Sequence, residues 1–334
     1  MSIELSIVIP TCQRREYLRQ VLLACSRQSM PSQQFEIIVA IDGSTDTTQA
    51  MLTHLDTPYC LRWISLPRSG AATARNQGTV AAQGDIVLFL DDDISPAPGL
   101  FAEHLAAHWS KSGVVGLGQV QQLPGQALSS WERYLCQRYE EHYTKLARPN
   151  YRPDFWDCLS GNLSIERQLL EQSGGFDPTL ERHEDTALGY RLSRLGAQFV
   201  YLPQALAYHQ FTRSVRAGLS DALREGRSAL QLARQHPELT PQLIHARWKH
   251  YRFAVQLMMR YALAQPDRHI RLTTMARYLA QSMNRIPLPF MAQKPFYQMA
   301  LHLSFWQGVR AGVSDFTDLL SFIAPEHQSD TVAG

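Results

Sequence analysis

The feature that most constrains this chain is the alternation in its first hundred residues, where short apolar runs take turns with stretches of helical period. LSIVIP (5–10), FEIIVAI (35–41), LRWISL (61–66) and DIVLFL (85–90) read as strands. REYLRQVLLACSRQ (15–28), TDTTQAMLTHL (45–55) and AATARNQGTVAAQ (71–83) read as helices. Repeated βα units of this length predict an α/β fold, a mostly parallel sheet with helices on both faces. Ligands of such sheets bind beyond the carboxyl ends of the strands.

At one such end LFLDDDIS (88–95) runs an apolar strand into Asp91, Asp92 and Asp93. One Asp there would read as a turn former before a helix opened by Pro96 and Pro98. Three adjacent carboxylates repel one another and are costly to desolvate unless a cation neutralises them. Mg²⁺ or Mn²⁺ suits the task, since it takes oxygen ligands from one or two carboxylates and a substrate phosphate. The two common glycine-rich phosphate loops are absent: the turn after the first strand is PTCQRRE, without glycine, and no Walker A pattern occurs. A nucleotide bound here would need its phosphates held by other means, and a carboxylate-bound divalent cation is the natural substitute.

Six blocks in order, LSIVIPTCQRREYLRQVLLACSRQ, FEIIVAIDGSTDTT, GAATARNQG, DIVLFLDDD, LSGNLSIERQLLEQSGGFD and HEDTALGYRLSRLG, resemble the family 2 glycosyltransferases, over about residues 3–210. The resemblance implies a GT-A fold, a Rossmann-like mixed sheet flanked by helices. It also implies inverting, metal-dependent transfer of a sugar from a nucleoside diphosphate donor, foremost a UDP-sugar, to an acceptor hydroxyl. Asp91 and Asp93 match the family's metal motif. Asp92, between them, would point elsewhere by strand alternation but still lie at the donor. Pro10, Thr11 and Asp42 match strand ends lining the nucleotide, although Ile41 stands where the family commonly has a further acidic residue, which puts the uracil preference in question. The alternative for Asp42 is an Asp-Gly turn. Gly70, Arg75 and Asn76 match a helix facing the donor. Glu184 and Asp185 resemble the catalytic pair, with Asp185 as base and Glu184 in support; both would also suit a helix N-terminus. His209 lies where some members place a metal or phosphate contact, or is structural. Gly161 and Asn162 resemble an acceptor-side turn, and Trp156 and Trp131 are either sugar-stacking faces or core aromatics.

Past residue 100 the sequence predicts a helix near 99–110, a strand at 113–120, a helical stretch at 128–147 and a strong helix at 184–195. From about 213 it is almost entirely helical, interrupted at His236-Pro237, Gln265-Pro266 and RIPLPFMAQKP. This divides the chain into a catalytic domain (1–212), a helical extension (213–325) for acceptor, membrane-surface or oligomer contacts, and a tail (326–334) with no apolar period, expected to be disordered. Segments 247–264 and 296–312 interleave basic and large apolar residues on a helical period; they either lie on an anionic membrane surface or bury one face in a bundle.

A formal net charge of +2 gives the whole chain no general affinity for nucleic acid. Five cysteines without CxxC spacing suggest neither a disulfide framework nor a zinc site. The N-terminus lacks signal-peptide features, so the expected location is cytoplasmic, with peripheral contact at the inner face of the cell membrane as an extension of that reading. The acceptor class that the resemblance implies is a glycan or a lipid-linked saccharide of the cell envelope. Two alternatives stand beside it. A sugar-phosphate nucleotidyltransferase would want glycines where PTCQRRE has none, and an inactive scaffold would be expected to have lost acidic residues from one of the two constellations.

Overall fold

The computed structural model describes residues 2–109, 111–249 and 251–323. The expectation for the tail at 326–334 falls outside them. The chain divides into two compact units. The first takes the chain up to Leu128, Leu135–Thr179 and Glu184–Thr212; the second takes Ser129–Tyr134, Leu180–His183 and the chain from Arg213.

In the first unit the described strands are β1 (Leu5–Thr11), β2 (Phe35–Asp42), β3 (Cys60–Leu66), β4 (Ile86–Leu90), β5 (Ile94–Pro96), β6 (Val114–Gln122), β7 (Asn162–Glu166) and β8 (Gln198–His209). They form one sheet in the order β3-β2-β1-β4-β7-β6-β8-β5. The β1–β2, β2–β3, β1–β4 and β6–β8 pairs are parallel, whereas β7 runs antiparallel to β4 and β6, and β5 antiparallel to β8. Every residue of β1, β2 and β4 is buried, as expected of parallel strands covered on both faces.

The helices of this unit are α1 (Arg15–Cys25), α2 (Thr48–His54), α3 (Ala71–Ala81), α4 (Leu100–Trp109), α5 (Ser130–Leu146), whose first turn belongs to the second unit, α6 (Arg167–Gln172) and α7 (Glu184–Arg194). In α1 the buried Leu18, Val21, Leu22 and Cys25 recur at three and four residues, so one stripe faces the sheet. Asp91–Asp93 form the turn between β4 and the short β5: the Ile94 amide donates to the Asp91 carbonyl at 3.1 Å, and Ile94 then pairs with His209. That reversal brings the last residue of β8 to the acidic turn.

The second unit is helical: α8 (Val215–Gln235), a π-helical turn (Pro241–His245), α9 (Ala246–Lys249), α10 (Phe253–Leu263), α11 (Pro266–Met283), α12 (Phe290–Ala311) and α13 (Phe316–Ile323). Where α8 and α12 cross, a Cβ on Gly226 would lie 2.0 Å from the Phe305 carbonyl and one on Gly308 2.0 Å from that of Leu223, so the two backbones meet only because both positions are glycine. Trp131 is 1% exposed here, its indole N–H donating to the Arg213 carbonyl at 2.9 Å and its ring packed on Tyr134 and Tyr297. It is therefore a core aromatic, and the sugar-stacking alternative is withdrawn. Among the described residues no helix is long and apolar enough to cross a membrane.

Candidate active site

Four strand ends and two helix starts converge on the acidic turn. Thr11, the last residue of β1, donates its hydroxyl to Asp92 Oδ2 at 2.7 Å. Arg14, just before α1, lies 3.3 Å from Asp92 Oδ1 and donates to Asp93 Oδ2 at 2.6 Å. His209 Nε2 approaches the same Asp93 oxygen at 3.3 Å. Arg75 on α3 is 5% exposed and forked: one amino group donates to Asp91 Oδ1 at 2.9 Å, the other to Glu184 Oε1 at 3.2 Å. The two acidic constellations of the sequence thus meet on one guanidinium. Its other support is the Phe176 ring, 5.4 Å from the guanidinium carbon.

The three neighbouring carboxyls sit in different fields. Burial pushes Asp92 up to about 7; Arg14 opposes this and Asp93 adds to it. Burial also acts on Asp93, but the hydrogen bond and charge of His209 together with Arg14 outweigh it and hold that carboxyl at about 2. Burial disfavours the charge of Arg75, and Asp91 and Glu184 more than compensate, so it remains protonated. Asp91 keeps 36% of its side chain exposed and has one oxygen outside the Arg75 pair. Gly161 explains how the chain passes so close: a Cβ there would stand 3.0 Å from Asp91 Oδ2 and 2.8 Å from Ile94 Cδ1. The Gly161 carbonyl also accepts the Asp91 amide.

Backbone strain falls directly before two of these residues in the chain. Among the described residues two non-glycine positions take positive φ: Gln13 at 57°, preceding Arg14, and His183 at 64°, preceding Glu184. Such positions cost on the order of 1 kcal/mol and persist where the surroundings over-determine them. Gln13 is braced by the β2–α2 loop, its amide donating to Ser44 Oγ at 2.9 Å and its side chain to Thr45 Oγ1 at 2.7 Å.

Other residues singled out in the sequence lie nearby with their polar groups engaged by the fold. Asp42 accepts the amides of Ser69 at 2.6 Å and Gly70 at 3.1 Å, fixing the turn into α3. Gly70 itself has φ 92°, a glycine conformation. Asn76 clasps both backbone groups of Phe176 at 2.8 Å. Asn162 is 2% exposed; its amide group donates to the Ala205 and Gln119 carbonyls and its oxygen faces His104, so the side chain fastens the sheet. Pro10 is buried in β1, in register with Ala40. Trp156 is half-buried, its ring against Phe155 in a turn whose Phe155 also meets Tyr190 of α7. Asp185, in the first turn of α7, accepts the Thr186 amide at 2.8 Å and is only partly buried.

Among the described residues no three His, Cys, Asp or Glu side chains form a ready-made metal cage. The donor set at the acidic turn nonetheless fits a hard divalent cation: two carboxylates and an imidazole, with the Asp91 side chain partly open and His209 Nδ1 buried without a hydrogen-bond partner. Mg²⁺ and Mn²⁺ commonly complete such partial sites with substrate phosphates. Sequence reasoning missed Arg14, which here neutralises Asp92 and Asp93; its one signal was a basic residue placed directly after the first strand.

With this geometry in place the comparisons are direct. The family described as Glycosyl transferase family 2 matches residues 6–174, half of the chain. The chain belongs to glycosyl transferase family 2. It is 32% identical over 262 residues to the uncharacterized glycosyltransferase YfnE of Bacillus subtilis (strain 168), covering 61% of this chain and 64% of that protein. It is 27% identical over 259 residues to the pre-mycofactocin glycosyltransferase of Mycobacterium tuberculosis, covering 72% of this chain and 50% of that protein. The chain thus spans between half and two thirds of the length of these curated relatives. Solved structures share the GT-A fold: mannosyltransferase PcManGT from Pyrobaculum calidifontis, in complex with GDP-Man and Mn²⁺, at TM-score 0.55, 19% identity and 93% and 87% coverage of this chain and that one; and S. aureus TarS 1–349 in complex with UDP, at TM-score 0.51, 18% identity and 93% and 90% coverage. The family match ends before Glu184, Asp185 and His209, and it is the Arg75 fork and the β5–β8 pairing that bring those residues to the matched part.

Proposed function

We propose that this family 2 protein transfers a glycosyl group, with inversion, from a nucleoside diphosphate sugar to an acceptor hydroxyl. The observation that carries the reading is the Arg75 fork, which joins the acidic turn at Asp91 to the helix start bearing Glu184 and Asp185. One end of that pair suits a diphosphate and its counterion, the other an attacking hydroxyl. Asp91, Asp93 and His209 are the residues that would hold Mn²⁺ or Mg²⁺. Bound there, the cation supplies Lewis-acid stabilisation of the charge on a departing diphosphate. The site needs such a cation for simple electrostatic reasons, since Asp91, Asp93, Glu184 and Asp185 outnumber Arg14 and Arg75 while the donor is itself anionic.

In the reaction the acceptor oxygen bonds to the anomeric carbon as the bond from that carbon to the diphosphate oxygen breaks, and the electron pair leaves with the nucleoside diphosphate. The hydroxyl proton passes to a base on the opposite face of the sugar, a role we assign to Asp185. Glu184 is held by Arg75 and positions the start of α7 beside it. Arg14 and Arg75 offset part of the acidic charge before the donor arrives. TarS 1–349 binds UDP and PcManGT binds GDP-Man; a nucleotide sugar is the donor class we assign here, with a glycan or lipid-linked saccharide of the cell envelope as acceptor.

Calorimetric titration of UDP, GDP and dTDP, with and without Mn²⁺, tests this. One diphosphate is expected to bind in the presence of Mn²⁺ and to lose about tenfold or more in affinity in Asp93→Ala, a change worth about 1.4 kcal/mol. If none of the three shows metal-dependent binding, the donor site is wrongly assigned. Inversion is read separately, from the anomer first released when the enzyme slowly hydrolyses its donor.

A further inference from the structure

The two amphipathic segments of the C-terminal third have different fates in the fold. In α12, Leu301, Leu303, Phe305, Trp306 and Val309 are buried, so this segment is packed into the helical unit. In α10 the opposite holds: Phe253 is 80% exposed, Leu257 60% and Tyr261 64%, at positions i, i+4 and i+8 on one face, while Met259, Ala262 and Leu263 are buried behind them. The exposure extends to Ile270 and Tyr278 on α11. Of fifteen exposed large apolar residues among those described, eleven lie between Phe253 and Met299. Scattered surface apolar residues need no explanation, but a concentration of this kind marks a contact surface.

Charge identifies the partner. Residues 246–312, a fifth of the chain, hold ten Lys and Arg against one acidic residue, Asp267, so they carry +9 in a chain whose formal net charge is +2. Lys249, Arg252, Arg260, Arg271 and Arg285 are exposed, and Arg268 lies over the Tyr261 ring at 3.9 Å. We propose that α10 and α11 dock this protein on an anionic lipid surface, the apolar stripe entering the headgroup boundary and the arginines meeting lipid phosphates. Long basic side chains with exposed aromatic and aliphatic residues suit that boundary, where stem and head find different solvents. A second copy of the chain is disfavoured because it would bring a like-charged surface to the same face. A nucleic acid would leave Leu257 and Ile270 without a counterpart. The inference does not rest on the transfer reaction, and its test uses neither donor nor acceptor.

Co-sedimentation of the full chain with vesicles of phosphatidylcholine, and of phosphatidylcholine with added phosphatidylglycerol, is the experiment. Binding is expected to the anionic vesicles, weakening with salt. It should fall about tenfold or more in Phe253→Ser/Leu257→Ser/Tyr261→Ser and in Arg252→Glu/Arg271→Glu. The charge pair is an independent probe should the apolar triple not fold; circular dichroism and nucleotide binding are expected to be unchanged in both. No binding to anionic vesicles overturns the proposal, as does binding that neither variant weakens. So does a dimer that the apolar triple dissociates, or binding of polyuridylate that the charge pair removes and the apolar triple leaves intact.

Discussion

Arg75 reaches carboxylates 16 and 109 positions away in sequence, and the planar fork of its guanidinium is what allows one side chain to serve both. Removing it leaves Glu184 buried and unpaired and Asp91 without its guanidinium partner, though partly open to solvent. Arg75→Ala is therefore expected to destabilise the protein by about 3 kcal/mol, the low end for breaking a buried pair because Asp91 is partly solvated. Arg75→Lys should recover only part of that, since a point charge can satisfy one carboxylate or the other. Urea unfolding midpoints of the three proteins measure this, and a loss below about 1 kcal/mol for the alanine variant would class the fork with screened surface pairs. The same residue shows what the sequence could and could not convey. Its position after Gly70, in a pattern shared with a family, singled it out. Its two partners follow from the crossing of α3 with the β4 and α7 ends, which no local period encodes. Arg14 was missed for the same reason, its partners Asp92 and Asp93 lying 78 and 79 positions along the chain. Asp42, Asn76 and Asn162 show the converse: the motif singled them out, but their side chains are taken up by backbone groups that sequence cannot reveal.

At the scale of elements, α4 is fastened to β7 by a polar chain inside the first unit. Asn162 donates its amide hydrogens to the Ala205 and Gln119 carbonyls, which leaves its oxygen to accept from His104 Nε2 at 2.9 Å. A neutral His104 then has a bare Nδ1, which accepts a hydrogen bond from the Ser164 hydroxyl at 2.8 Å, and the Ser164 oxygen accepts from His108 Nε2 at 2.9 Å. The acceptor role of His104 Nδ1 requires a neutral imidazole, and burial lowers both His104 and His108 from 6.5 to about 4. Between those values the unfolded chain binds protons that the folded chain refuses, so stability falls as pH falls through that window. For His104 alone the loss from neutrality to pH 4 is about 3 kcal/mol, and His108 adds to it. Urea midpoints across the window are expected to decline steadily below about pH 6.5; a midpoint flat from neutrality to pH 5 would show the two imidazoles protonated in the folded state. The strands and helices themselves were legible. The apolar runs at 5–10, 35–41, 61–66 and 85–90 became β1 to β4 within a residue or two; β1, β2 and β4 are buried on both faces and so must be continuously apolar, whereas β3 is a part-exposed edge strand with Arg62 and Ser65 in it. The three-residue β5 and the long β8 were not resolved, since a short reversal after an acidic turn has no period to detect.

At the scale of the molecule, a net charge of +2 describes almost nothing that a charged surface would meet. The stretch 246–312 carries +9, and the remaining 22 basic residues face 29 acidic ones. An 18-residue helix such as α11 is about 27 Å long, more than twice the Debye length of about 10 Å at 0.1 M salt, so opposite charges elsewhere on the chain are screened from a surface approaching it. The local sign decides the interaction, and the average does not. This predicts that the protein is held on a sulfonate matrix at neutral pH despite its near-balanced composition, and that Arg252→Gln/Arg260→Gln/Arg271→Gln/Arg285→Gln lowers the eluting salt sharply. Neutralising four equally exposed arginines of the first unit, Arg27, Arg138, Arg148 and Arg152, changes the formal charge by the same amount and should move elution far less. Equal shifts for the two sets would mean that the matrix reads total charge, and the segregation in sequence would then have no counterpart on the surface.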